Sequence, residues 1–287
     1  MIGGMPSSDK IEKLGRFAPS PTGDLHLGNL RTALVARSYV GLGGRFLVRM
    51  EDLDRVTSSR QIAEDQLSDL KAVGVISDGP VVFQSERFDL YRDFVKVLAE
   101  RDLVYECFCS RKEIQQAVNA PHGGQIRYPG TCRDMSQSDR IRRRRDRPAA
   151  IRLKSSVNET GPEIFDDIVL LRNDGVPAYN LAVVVDDELQ GVTEVVRGDD
   201  LVHVTPTQIH LQELLGFRKL DYRHVPLLCG PDGEKLSKRH GDITLADCRR
   251  LGYTAEQVRI ALLRSFDVGS NGWGPSSSLG EWLESLL

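Results

Sequence analysis

The sequence contains no apolar run near the ~20 residues that a membrane helix requires, so no transmembrane segment is expected. Its first residues, Met1 to Lys10, lack the apolar stretch of a secretory signal. They read as a frayed tail, taken as 1–14, and the protein reads as cytoplasmic. A surplus of base is also lacking: 38 lysines and arginines face 41 acids, a formal charge of −3. That balance excludes a wholly polybasic, histone-like protein, but it leaves room for RNA binding through a local patch. There is no internal repeat, and no low-complexity tract beyond one arginine run. Cysteine is sparse and odd in number. Cys107, Cys109 and Cys132 fall within 26 positions, whereas Cys229 and Cys248 lie far away. In a reduced compartment this clustering points to a metal more than to disulfides.

What remains is an ordinary globular composition over 287 residues, enough for one large domain or two modest ones. Patterning places a short strand at Arg16 to Ala18, a Pro/Gly loop over Pro19 to Gly23, and a helix from Leu27 to about Val40. Arg45 to Met50 reads as a second strand. Helices follow from Ser59 to Val73 and from Glu86 to Arg101. This alternation predicts a parallel sheet with crossover helices. The pattern breaks near Tyr105. Ala149 to Leu153 and Tyr179 to Val185 read as strands again, Thr205 to Leu215 as a helix, and His224 to Leu228 as a buried strand. A polar loop follows Gly230. Thr254 and Gln257 form a capping-box signal ahead of Val258, Ala261, Leu262 and Phe266. The expected organisation is a sheet domain (15–105 and 196–230), an α+β insert (106–195), and a loop with short C-terminal helices (231–287).

The segment from Ala18 to Asn29 joins the first strand to the first helix, where open parallel sheets bind ligands. The helix start offers free N–H groups and a positive dipole end. Gly28 admits close backbone approach, and His26 and Asn29 are candidate donors to phosphate oxygens. Far downstream, Glu234 to Arg239 (EKLSKR) carries three cations. Lys235 and Lys238 are candidates to clamp a triphosphate and follow its charge into the transition state.

These two segments resemble the "HIGH" and "KMSKS" signatures of class I aminoacyl-tRNA synthetases. The stretches Arg16 to Gly23 (RFAPSPTG), Arg49 to Asp54 (RMEDLD), Tyr179 to Asp187 (YNLAVVVDD) and Gly191 to Gly198 (GVTEVVRG) are similar to glutamyl-tRNA synthetases, in the same order. The resemblance covers roughly Gly15 to Leu263. It implies a Rossmann-like catalytic fold with an inserted zinc-containing subdomain. Leu236 departs from the loop consensus by a volume-conserving change from methionine, and Arg239 replaces the final serine. The chain ends about fifty residues after this loop, so the anticodon-reading domain of glutamyl-tRNA synthetases is not expected. With the cysteine cluster, that makes the sequence similar to glutamyl-queuosine tRNA(Asp) synthetases. The resemblance implies tRNA-independent activation of L-glutamate by ATP and transfer to queuosine in the anticodon of tRNA(Asp), by a monomer. The alternatives are a truncated synthetase charging a 3′ end, a zinc-stabilised RNA-binding protein without catalysis, and a nucleotidyltransferase for a small molecule.

Glutamate presents two carboxylates and one ammonium. Arginine suits a carboxylate through paired hydrogen bonds, and Arg16 and Arg197 are the candidates. The resemblance implies further contacts from Phe17, Ala18, Pro19 and Ser20. It implies that Glu51 faces the α-ammonium, with Tyr179 at the same end. Mg2+ is expected with ATP, bridging phosphates. Three thiolates in a short span suit Zn2+, which takes four ligands. The fourth is His122 on general grounds, or Tyr128 by resemblance to the Cys-x-Cys…Tyr-x-x-x-Cys pattern. Arg140 to Arg147 (RIRRRRDR) holds six arginines in eight positions. It reads either as a solvated face paired to acids or as a contact for tRNA phosphates.

Overall fold

The computed structural model describes residues 12–118, 128–154, 166–230, 232, 236, 243–273 and 277–287. The chain opens with β1 (Leu14–Phe17), crosses through α1 (Leu27–Tyr39) to β2 (Arg45–Met50), and through α2 (Arg60–Ala72) to β3 (Val82–Phe83). α3 (Phe88–Glu100) leads into β4 (Val104–Cys107), α4 (Arg111–Val118), α5 (Gln137–Asp146), β5 (Ala150–Leu153) and β6 (Val169–Leu171). α6 (Tyr179–Leu189) returns to β7 (Glu194–Gly198), then come a 3-10 turn at Asp199–Val204, α7 (Thr205–Leu215) and β8 (Asp221–Val225). α8 (Leu245–Arg250), α9 (Ala255–Asp267) and α10 (Leu279–Leu286) close the chain.

Five strands form one parallel sheet in the order β3-β2-β1-β7-β8. All four residues of β1 are buried, as are five of the six in β2, because crossover helices cover both faces of such a sheet. Gly15 is needed for close packing: a Cβ there would stand 2.7 Å from Cγ1 of Val40, just beyond the end of α1. The second sheet, β4-β5-β6, is antiparallel. It lies within the expected insert except for the start of β4.

Two expected strands are corrected. Tyr179 to Val185 is helical, the first part of α6. Leu181, Ala182, Val183, Val184, Val185, Asp186 and Asp187 are all buried. A segment enclosed on every side loses the polar face by which a helix period is recognised, and its β-branched valines mimic a strand. The buried strand expected at His224 to Leu228 is instead β8, an edge strand that begins at Asp221, stops at Val225 and buries only Val225. Pro226 has no N–H with which to extend the ladder.

The main core joins the parallel sheet, α1, α9 and α10. A second core joins α3, α6 and α7. The Thr254–Gln257 capping box opens α9 as expected. Arg31 on α1 is fully buried. Its guanidinium donates to Pro226 O at 2.5 Å and to Ser270 O and Asn271 Oδ1, each at 3.1 Å. It thereby ties the exit of β8 and the C-terminal helices to the helix beside the cleft. No helix among the described residues is long and apolar enough to cross a membrane.

Candidate active site and candidate metal centre

The carboxyl ends of β1 and β7 meet where the sheet order reverses, the position at which open α/β sheets bind ligands. A cleft of about 520 Å3 opens there. It is lined by Arg16, Phe17, Ala18, Pro19 and Ser20 from β1 and its loop, and by His26, Gly28 and Asn29 from the start of α1. Glu51 beyond β2, Tyr179 on α6 and Arg197 on β7 complete the set. Residues from four separate stretches, 16 to 197, therefore share one cavity. The loop after β1 is held from behind, since buried Gln66 donates to Ser20 O at 3.1 Å and to Gly23 O at 2.7 Å.

Lys235 and Lys238 lie outside the described residues, and so does His122. Leu236, between the two lysines, is buried and lines the same cleft. Its N–H donates to Leu228 O at 3.0 Å. On the far side of that segment, Ile243 O accepts from Leu27 N–H at 2.9 Å, and Thr244 bridges His26.

His26 is the N-cap of α1. Its Nδ1 accepts from the Asn29 N–H at 3.2 Å, while Asn29 Oδ1 accepts from the His26 N–H at 3.3 Å. This reciprocal box satisfies two otherwise orphaned donors. It also assigns the proton of the neutral imidazole to Nε2, because Nδ1 is the acceptor. Gly28 serves the ring directly: a Cβ there would lie 3.0 Å from both Nδ1 and Cε1 of His26.

The end of the cleft around Arg16 and Glu51 is organised by buried charge. Arg16 donates to both oxygens of Asp187, each at 3.1 Å. Arg49, with no exposed surface, donates to Asp187 Oδ1 and to Gln190 Oε1, each at 2.8 Å. It also reaches Glu51 at 3.4 Å and Asp186 at 3.7 Å. Asp186 is further held by Arg87 at 2.8 Å, by Gln84 at 2.9 Å and by the Tyr91 hydroxyl at 2.7 Å. Burial alone would lift the Asp187 carboxyl, but Arg16 and Arg49 outweigh it and hold it below its ordinary value. For Glu51 burial prevails, and its carboxyl is raised despite Arg49 and Arg16. Burial, and then the charge of Glu51, push the Tyr179 hydroxyl up to about 12. Arg197 donates to Gln208 Oε1 at 2.7 Å and Thr205 Oγ1 at 2.8 Å, and its Nε is buried without a hydrogen-bond partner.

The second sheet carries the sulfur cluster. Cys107 ends β4, and Cys109, Tyr128 and Cys132 lie in the flanking segments. The three Sγ atoms lie within 4.8 Å of one another. The Tyr128 hydroxyl sits among them, 3.3 Å from Cys107 Sγ and 3.5 Å from Cys109 Sγ, with Cys109 and Cys132 sulfurs 3.6 Å apart. Metal bonds of ~2.3 Å to sulfur and ~2.0 Å to oxygen in a tetrahedron imply S···S near ~3.8 Å and S···O near ~3.5 Å. The four donor atoms thus fit one ion. The Cys132 N–H donates to the phenol oxygen at 3.0 Å, and the Arg152 guanidinium stands 3.9 Å from the ring centroid. The Cys132 N–H favours a phenolate, but burial and the three neighbouring thiols outweigh it and raise the hydroxyl well above its ordinary value, so a bound metal ion would have to lower it. Without a metal, burial pushes the Cys109 thiol up to about 11.

Comparison with known proteins agrees with this geometry. Residues 14–272 match the catalytic domain of the tRNA synthetases class I (E and Q). The chain belongs to this family. It is 54% identical over 262 residues to the glutamyl-Q tRNA(Asp) synthetase of Nocardia farcinica, spanning 87% of this chain and 83% of that protein. It is 50% identical over 267 residues to the glutamyl-Q tRNA(Asp) synthetase of Cutibacterium acnes, spanning 88% and 76%. The crystal structure of a glutamate tRNA ligase from Elizabethkingia meningosepticum, in complex with its amino acid, matches with a TM-score of 0.75 at 26% identity. That match covers 95% of this chain and 64% of the other. The expected class I synthetase fold is therefore the observed one.

Within this class I synthetase, the motifs that hold Arg49, Asp186 and Asp187 do not by themselves give those residues a role. A signal was present. Arg49 interrupts the apolar strand Phe46 to Met50, and Asp186 and Asp187 follow three valines in an otherwise enclosed helix. Charges inside buried runs require partners.

Proposed function

We propose that this class I synthetase activates L-glutamate with ATP, without tRNA, and transfers it to the queuosine base in the anticodon of tRNA(Asp). The observation that carries the amino-acid assignment is that two arginines, Arg16 and Arg197, line the same cleft as Glu51 and Tyr179. Glutamate, with two carboxylates and one ammonium, matches that set. Arg16 and Arg197 take its carboxylates, and Glu51 takes its ammonium with Tyr179 beside it. Neutral glutamine, with one carboxylate, would leave one of these two guanidinium groups without a carboxylate partner. The names of the Nocardia and Cutibacterium relatives support the acceptor.

In the first step a carboxylate oxygen of glutamate attacks the α-phosphorus of ATP. The bond to the bridging oxygen breaks, and pyrophosphate leaves with the electron pair. No side-chain nucleophile is needed, so the protein acts by positioning and charge stabilisation. His26 Nε2–H and Asn29, at the positive end of α1, receive the phosphates. Lys235 and Lys238 follow the developing negative charge, with Mg2+ accompanying ATP. Cys107, Cys109, Tyr128 and Cys132 would hold Zn2+, which would supply folding free energy to an insert whose apolar cluster is small. In the second step the acceptor oxygen attacks the glutamyl carbonyl and AMP departs.

Exchange of labelled pyrophosphate into ATP, dependent on glutamate and independent of tRNA, tests the first step. Label from glutamate retained on an anticodon fragment of tRNA(Asp) tests the second. Label on the periodate-sensitive 3′ ribose refutes the proposed acceptor.

A further inference from the structure

The arginine run has no part in the cleft or the sulfur cluster, and the structure divides it. α5 carries net +3 over ten residues in a chain of net −3. It buries no residue, and its only aliphatic side chain, Ile141, is exposed. Apolar packing therefore does not account for the helix. At 100° per residue the arginines fall into two sets. Arg140, Arg144 and Arg147, spaced i, i+4, i+7, face the insert. Arg144 chelates Glu106 at 2.8 Å, Arg147 pairs with Glu113 at 2.8 Å, and Arg140 donates to Arg133 O at 3.4 Å. These contacts moor the helix to β4, to the first turn of α4 and to Arg133, the residue after Cys132. Arg142 and Arg145 lie one turn apart on the opposite side, with Arg143 between the two sets, and all three are exposed. Arg142 reaches only Asp139 of its own helix, at 2.7 Å. Arg143 and Arg145 make no side-chain hydrogen bond or ion pair among the described residues.

Placing like charges at i, i+3 on one helix costs stability in isolation. A helix with no apolar face, moored by one set of cations and presenting another, is suited to a polyanion. We infer that the outer face of α5, Arg142, Arg143 and Arg145, is a docking surface for the phosphate backbone of the RNA substrate, carried by the cysteine-bearing insert. This rests on the reading that the protein acts on tRNA. The surface is sequence-blind, because arginine on phosphate sets register and affinity, not base identity. The observations favour RNA over an acidic protein. Guanidinium forks fit phosphate and carboxylate alike, but no apolar centre is present to anchor a protein interface.

The test measures tRNA(Asp) binding against salt for the unchanged chain, the triple variant Arg142→Gln, Arg143→Gln, Arg145→Gln, and the matching triple lysine variant. Three lost phosphate contacts reduce the slope of log K against log salt by about 2–3. Between 50 and 200 mM salt the unchanged chain thus loses about 16- to 64-fold more affinity than the glutamine variant. The lysine variant keeps most of the slope, and glutamate-dependent pyrophosphate exchange without RNA is the same in all three. An unaltered slope in the glutamine variant overturns the inference. So does equal loss in the lysine variant, or displacement by polyglutamate where tRNA fails to compete. Failure of exchange in the unchanged chain would overturn the activity and leave the salt slope as measured, so the two failures are distinct.

Discussion

Arg49 does not line the cleft, yet it touches the two groups on which the glutamate site depends: Asp187, which aligns Arg16, and Glu51. Arg49→Met removes the charge at similar length. Asp187 is left to Arg16, Asp186 to Arg87, and Glu51 loses the cation 3.4 Å away. Breaking a buried ion pair by deleting one partner costs about 3–5 kcal/mol, which for a chain of this size lowers Tm by about 6–20 °C. That effect alone would be structural. The positioning argument adds two others. Glu51 already has a raised carboxyl pKa because burial outweighs Arg49 and Arg16, and removing Arg49 raises it further. A larger share of Glu51 is then neutral, so the acid limb of the exchange reaction moves to higher pH. Weakening a charged hydrogen bond to the substrate ammonium costs about 1.5–3 kcal/mol, a rise of about tenfold to a hundredfold in KM for glutamate, with the KM for ATP unchanged. Arg49→Lys keeps the charge and loses the fork, so it restores the acid limb and part of the KM. A lowered Tm in Arg49→Met with unchanged glutamate KM and acid limb would refute the reasoning.

Glu51→Gln behaves in the opposite way towards stability. A carboxyl raised by burial is ionised at a cost in the fold at neutral pH, so the variant keeps or gains Tm at pH 7, while glutamate-dependent exchange is lost. A Tm drop equal to that of Arg49→Met would contradict it. Gly28→Ala presses a methyl group against the His26 ring. The weakened cap costs about 0.5–2 kcal/mol, offset by the ~1 kcal/mol helix preference of alanine. Thermal stability therefore changes little, while exchange falls and the KM for ATP rises. Lys238→Ala lowers adenylate formation by about 10²–10³, read by pyrophosphate exchange with the fold checked by circular dichroism. Chelation, or Cys109→Ser, removes stoichiometric zinc by elemental analysis and lowers Tm, and metal uptake by the metal-free chain releases protons as thiols ionise. A folded native sample without zinc sinks the metal assignment.

Local pattern made much of this protein readable. β2 coincides with the expected run, and α1, α2 and α3 fall within two residues of expectation, because their apolar periodicity and caps are written in neighbouring residues. The loop after β1, with His26, Gly28 and Asn29, was legible for the same reason, since a strand-to-helix turn is a local feature. The tertiary structure decided the rest. α6 read as a strand because its environment, enclosed on every side, is not encoded in its own period. Arg49 meets Asp187 at a sequence separation of 138 and Arg16 meets it at a separation of 171. Such pairings exist only once α6 has packed beside the sheet. The arginine run likewise had two readings until the helix turned three of its cations towards Glu106, Glu113 and Arg133 and the others outward. Sequence determines which elements form wherever neighbours suffice. Which buried charges become partners is set by the packing of those elements, because a low-dielectric interior makes each ionised group depend on whatever the fold brings within hydrogen-bond reach.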